Sequence, residues 1–120
     1  MMKFYLILTA ALGVATSATA AAPSGQGVFD QRCSMCHSLQ PAPGKMGPPL
    51  AGVVGRKAGA TTGYGYSSAM KAYGVTWSPE ALDAFLKAPN KAVPGTKMLI
   101  GAPDAEDRTV VIQYLKSFNK

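Results

Sequence analysis

The chain is predicted to be all-α, with three or four helices joined by long loops and wrapped around a body that is not peptide. Three observations predict this. Four stretches carry helix start, stop or periodicity signals, while no run reads as a convincing strand and no repeat occurs. The segments between them are dense in Gly and Pro, which number 13 and 9 in 120 residues, and long loops need something to pack on. Both cysteines and the single histidine fall in the stretch Cys33-Ser34-Met35-Cys36-His37, a spacing that attaches c-type haem.

Residues 1–20 read as a secretory signal outside the domain. Met1-Met2-Lys3 is a short positive start, Phe4 to Val14 is mainly apolar, and Ala18-Thr19-Ala20 is an A-x-A cleavage pattern. The apolar core falls short of the ~20 residues of a spanning helix. Cleavage leaves a domain of residues 21–120, and a bacterial periplasm is the expected compartment, because exported chains and covalent haem attachment meet there.

The first helix is expected from Gly25 to Ser38, with Val28, Phe29, Cys33 and Cys36 on its inner side. Gln40 to Pro49 holds too many Pro and Gly residues for a helix and is an extended loop. Leu50 to Tyr66 continues as glycine-punctuated loops, and Ser67 to Tyr73 forms a short helix that stops at Gly74. Trp77-Ser78-Pro79-Glu80 is a helix start, with Ser78 as cap, Pro79 at the first helical position and Glu80 facing the positive end. Leu82, Phe85 and Leu86 form its apolar face and Pro89 ends it. Asn90 to Met98 reads as another extended loop. Asp104 caps the last helix, whose inner face is Val111, Ile112, Tyr114 and Leu115, with Lys116 and Lys120 at its negative end.

Three chemistries compete for Cys33-x-x-Cys36. A thioredoxin-like redox pair needs a βαβ pattern, which is missing. A zinc site needs further Cys or His ligands, and the chain has none. A disulfide between cysteines so near in sequence is geometrically awkward. Haem attachment explains all three residues at once. Thiols three positions apart share one side of a helical turn and reach both vinyl groups of one porphyrin, and His37 then lies beneath the ring with its imidazole aimed at the iron. One haem c and its iron are therefore expected per chain.

A sixth iron ligand is often Met, which raises the potential. Met35 lies inside the attachment loop and faces away, while Met46, Met70 and Met98 are candidates. Met98 has the best setting, after Pro94 and Gly95 in a loop between two helices. Core packing is the ordinary fate of any Met.

The formal net charge is +6, one unit of it from Lys3. This suits acidic partners or surfaces. The lysines are dispersed and no nucleic-acid motif occurs, so nucleic acid is not expected as a partner.

From about Gly25 to Lys116 the chain resembles class I cytochromes c, close to the mitochondrial and bacterial cytochrome c2 type. The resemblance rests on Gln31-Arg32-Cys33-Ser34-Met35-Cys36-His37, Gly47-Pro48, Gly55-Arg56-Lys57, Tyr64-Gly65-Tyr66, Val75-Thr76-Trp77 and Pro94-Gly95-Thr96-Lys97-Met98, in that order. It implies the cytochrome c fold, thioethers at Cys33 and Cys36, and His37 and Met98 as axial ligands of the iron. It implies that the Pro48 carbonyl accepts the outer N–H of His37, a bond that sets tautomer and ligand basicity. It also implies Tyr66 and Trp77 as donors to the haem propionates, with Arg56 and Thr96 nearby, since buried carboxylates are costly unless hydrogen-bonded. Gly25 and Phe29 match first-helix positions that pack on the last helix at Val111 and Tyr114.

Some positions depart from the pattern. Phe85 stands where many relatives have a tyrosine whose hydroxyl reaches the Met sulfur. Met70 replaces a common asparagine, and Ile100 a common aromatic. The loop after His37 and the segment after Met98 each look about a residue shorter. Asp104, Glu106 and Asp107 occupy a region that is often lysine-rich, which thins the basic docking rim to Arg32, Lys45, Lys91 and Lys97.

The implied function is a soluble periplasmic one-electron carrier between redox partner proteins with acidic docking patches. It is monomeric, has no small-molecule substrate and is not an enzyme. The alternative is a haem enzyme or gas-binding sensor with a displaceable Met ligand.

Overall fold

The structure, a computed structural model, describes residues 2–17 and 21–119. Residues 2–17 are exposed and form no regular secondary structure. The Ala18-Thr19-Ala20 pattern and Lys120 lie outside the described residues. Among the described residues no helix is long and apolar enough to cross a membrane.

Helix α1 (Gly25–Val28) starts where the Ser24 hydroxyl accepts from the Gly27 N–H at 3.0 Å, and it runs directly into a π-helical segment, Phe29–Cys33. The helix expected to Ser38 therefore widens and ends early. Ser34 explains this. Its hydroxyl donates to the Asp30 carbonyl at 2.6 Å, the acceptor its own N–H would use in an α-helix, and that N–H instead reaches the Phe29 carbonyl at 2.9 Å.

Helix α2 (Ser68–Tyr73) is capped by Ser67 and stopped by Gly74, which takes the left-handed conformation with φ 59°. Helix α3 (Pro79–Lys87) has the Ser78 cap and Pro79 at its first position. Where an extended loop was expected, Pro89–Ala92 forms a further short helix, α4. Pro89 cannot continue α3, but its fixed φ suits a new first turn. Helix α5 (Ala105–Lys116) is capped by Asp104, whose carboxylate accepts from the Glu106 and Asp107 N–H groups. The described chain has no sheet, only an isolated antiparallel bridge between Lys57 and Thr76. Around it Gly55 donates to the Trp77 carbonyl and Trp77 to the Arg56 carbonyl, which places Arg56 and Trp77 side by side.

The core sits where α1, α3 and α5 meet. Val28, Phe29, Leu82, Phe85, Val111, Ile112 and Leu115 are buried there, and Phe29 packs on Tyr114 with ring centroids 5.8 Å apart. The α1–α5 crossing depends on Gly25. A Cβ at this position would overlap the Val110 carbonyl and come within 2.5 Å of the Tyr114 Cβ. Gly25→Val should therefore destabilise the haem-loaded protein by about 1–3 kcal/mol, the usual range for overpacking, read from the urea midpoint. An unchanged midpoint would show that the crossing is loose.

Candidate haem site

The Cys33–His37 turn is built by its own backbone. The Cys33 carbonyl accepts from the N–H groups of both Cys36 (3.1 Å) and His37 (2.8 Å). The following loop folds back on it: Gly47 donates to the Cys36 carbonyl, Leu50 to Ser38 and Ala51 to Leu39. This return brings the Pro48 carbonyl to 2.8 Å from His37 Nδ1. A carbonyl only accepts, so Nδ1 carries the proton and Nε2 is left with a free lone pair. Burial holds the His37 pKa below its ordinary value, against an opposing pull from Pro48 and with a smaller assisting push from Lys45. The ring is thus neutral and basic at Nε2, the form a metal takes.

Gly47 packs closely against that ring. A Cβ there would overlap Cε1 and come within 2.5 Å of Nδ1. Gly47→Ala should push the imidazole off Pro48 and shift the spectrum of the bound haem, while Gly44→Ala, strained by its own φ of 75° but facing open space, should leave the spectrum alone. Identical spectra for the two variants would contradict this placement.

All the haem-site residues expected from the sequence line one cavity of about 460 Å³: Cys33, Cys36, His37, Pro48, Arg56, Tyr66, Trp77, Thr96 and Met98. Its volume lies within the roughly 300–1,000 Å³ of ligand sites. Leu82, Phe85, Leu86, Val111 and Leu115 form an apolar wall. Cys33 and Cys36 both line the cavity and are not joined to each other. Burial pushes the Cys33 thiol up to about 11, with smaller opposing and assisting effects from Arg32 and Cys36. A thioredoxin-like pair needs a βαβ setting, and the described chain has no sheet.

One edge of the cavity is polar. Arg56 is half-buried, and the hydrogen bond described for it is Nη2 to the Pro49 carbonyl at 2.9 Å. Burial lowers its pKa, with Tyr66 opposing. A guanidinium has five donors, so it has capacity left for an anion. The Tyr66 oxygen accepts from the Thr61 N–H at 3.2 Å, which leaves its own O–H free to donate. Trp77 and Thr96 are buried beside them. Thr61 was not singled out by sequence. Its Oγ1 is buried without a hydrogen-bond partner, and nothing in the local pattern marks it. Tyr64 also emerges here: it lines the cavity and donates to the Met46 carbonyl at 2.8 Å.

Three methionines besides Met35 reach the cavity, and the structure separates their settings. Met46 is 67 % exposed and adjoins Gly47, on the His37 side. Met70 is buried in the core cluster on α2. Met98 is half-buried on the loop after α4, where its N–H donates to Thr96 Oγ1 at 3.3 Å and Gly95 turns with φ 91°.

The residues present fit a covalently held haem: two thiols, an oriented imidazole, a sulfur on another loop, an apolar wall and donors along one edge. Among the described residues no three His, Cys, Asp or Glu side chains converge on a bare metal ion.

Comparison with known proteins agrees. A family model described as Cytochrome c matches residues 22–119. Cytochrome c type-1 of Ascaris suum is 45% identical over 94 residues, covering 78% of this chain and 84% of that protein. Cytochrome c2 of Blastochloris viridis is 41% identical over 120 residues, covering 98% of this chain and 93% of the relative. The solved structure of cytochrome cH from Methylobacterium extorquens superposes with a TM-score of 0.73 at 40% identity, over 82% of this chain and 99% of that one.

Proposed function

The chain belongs to the cytochrome c family, with its all-α fold and its covalently attached haem c, and on that premise we propose that it is a periplasmic one-electron carrier whose iron is held by His37 and Met98. Proteins of this family carry electrons between redox partner proteins. When bound, the haem supplies a one-electron iron couple.

The observation that carries the ligand assignment is the His37–Pro48 bond at 2.8 Å, which frees Nε2 in a cavity that Met98 also lines. Each remaining residue has a physical task. Cys33 and Cys36 hold the cofactor by thioethers. Leu82, Phe85, Val111 and Leu115 exclude water, which keeps the site similar in both redox states. Arg56, Tyr66, Trp77 and Thr96 offer donors to the propionates and offset the cost of burying them.

Docking to acidic partners falls mainly to Lys45, Lys91 and Lys97. Arg32 has part of its charge offset, because its Nε donates to Asp107 at 3.1 Å. Exposed pairs of this kind are weak, so Arg32 keeps a place on the rim beside them. The chain acts as a monomer. Export and cleavage after residue 20 are read from the positive start, the apolar run and the Ala18-Thr19-Ala20 pattern, and residues 2–17 are exposed and irregular.

Methyl NMR of the reduced, periplasm-extracted protein tests this reading. One of the Met35, Met46, Met70 and Met98 methyls should lie far upfield, shifted by the porphyrin ring current, and should vanish in Met98→Ala. A set of four ordinary methyl shifts, or an upfield methyl that survives the substitution, would contradict it. Mass spectrometry of the same sample should find a chain beginning near Ala21.

A further inference from the structure

We propose that Arg108 is a positioning residue for Met98, holding the segment that follows the ligand against α3. The inference rests on the reading of Met98 as an iron ligand. Arg108 is 6% exposed, on the face of α5 that otherwise buries Val111, Ile112 and Leu115. Its Nε donates to Asp83 Oδ1 on α3 at 2.8 Å. Its Nη1 donates to the carbonyls of Ala102 at 3.1 Å and Pro103 at 2.7 Å. One guanidinium thus joins α3, α5 and the segment between Met98 and α5.

That segment has little else to hold it. It has no regular secondary structure, and Leu99 and Ile100 are 74% and 72% exposed. Its anchor is Ala102, whose N–H donates to the Leu86 carbonyl at 2.7 Å and whose own carbonyl accepts from Arg108. Beside it Gly101 passes so close to α3 that a Cβ would overlap the Leu86 carbonyl and come within 2.9 Å of Pro89 Cδ. Both backbone groups of Ala102 are therefore tied, one directly to α3 and the other through Arg108 to Asp83. Leu86 and Phe85 of α3 line the cavity, so the anchor and the cavity wall share one element. Met98 is four residues upstream, where the bond to Thr96 Oγ1 is long at 3.3 Å. An ion pair with one partner exposed is a weak source of stability, and here its geometry fixes where a loop lies. Slack at Ala102 would let the Met98 sulfur leave the cavity more readily.

Imidazole titration of the ferric haem protein tests this, because added imidazole competes with the Met98 sulfur. Lysine at position 108 keeps the charge but has no fork to span Asp83 and two carbonyls. Arg108→Lys should bind imidazole about tenfold more tightly than the parent, in line with losing hydrogen bonds from a charged group, with a weaker ferric Met–iron charge-transfer band. Asp83→Asn, at a side chain 47% exposed, should shift the affinity in the same direction by a smaller factor. Met98→Ala sets the upper limit, and adding Arg108→Lys to it should change nothing further. Parental imidazole affinity in both Arg108→Lys and Asp83→Asn, beside a raised affinity in Met98→Ala, overturns the proposal even if the urea midpoints fall. Parental affinity in Met98→Ala overturns the ligand reading itself, and this inference with it.

Discussion

Met98→Ala should leave the haem covalently bound but abolish the low-spin Met spectrum, open the iron to carbon monoxide and lower the reduction potential. Covalent attachment depends on Cys33 and Cys36, which the substitution does not touch. The drop in potential should be a sizeable fraction of the roughly 0.8 V span that axial ligands command, because Met opposite His raises it. Visible spectroscopy and potentiometry read both effects. If the low-spin Met spectrum persists, Met46 or Met70 supplies the sulfur. The structure argues against both. Met46 adjoins Gly47 on the His37 side of the site, and Met70 is packed into the core on α2. Phe85 sharpens the point. It is buried against Trp77, with centroids 5.1 Å apart, and it offers no hydroxyl to the Met98 sulfur, so the loop that carries Met98 must do more of the holding.

Cys33→Ala together with Cys36→Ala should prevent the domain from folding to its native state. The haem cavity, about 460 Å³, reaches Leu82, Phe85, Val111 and Leu115 in the core. The cavity is partly open, so losing its occupant costs less than the roughly 11 kcal/mol that about 24 cal/mol per Å³ gives for an enclosed space of that size, but still a large share of the total. A domain of about 100 residues has only some 5–15 kcal/mol in total. The expected result is a large loss of far-UV helical signal and of cooperative urea unfolding, relative to the haem-loaded parent expressed with the same attachment machinery. Native-like helical signal with a cooperative transition would mean that the core closes without its cofactor.

Much of the fold is readable locally, because the decisive residues act on neighbours. Ser67, Ser78 and Asp104 cap helices from the first turn, and Gly74 ends one with a left-handed residue. The haem site is equally readable at Cys33, Cys36 and His37, whose spacing is itself the chemistry. What is not readable depends on competition or on distance. The Ser34 hydroxyl takes the Asp30 carbonyl and widens the first helix, and a hydrophobic pattern contains no trace of that exchange. Pro89 carries both a stop and a start, so α4 is hidden behind the end of α3.

Charges are the least readable of all. Arg108 looks like a surface residue in the α5 pattern until Asp83, 25 residues away, is brought to 2.8 Å. Arg32 reads as a docking charge, and that it has Asp107, 75 residues away, as a neighbour is visible only in the fold. Thr61 shows its place only through its buried Oγ1 and the N–H it donates to Tyr66.

The most direct test is the visible spectrum of the purified protein in both redox states, with carbon monoxide added to the reduced form. A closed His37/Met98 site predicts a covalent c-type haem spectrum, a ferric Met–iron charge-transfer band and no shift with carbon monoxide. Rapid carbon monoxide binding to the parent protein would contradict it and point to a ligand-binding haem with a displaceable sulfur.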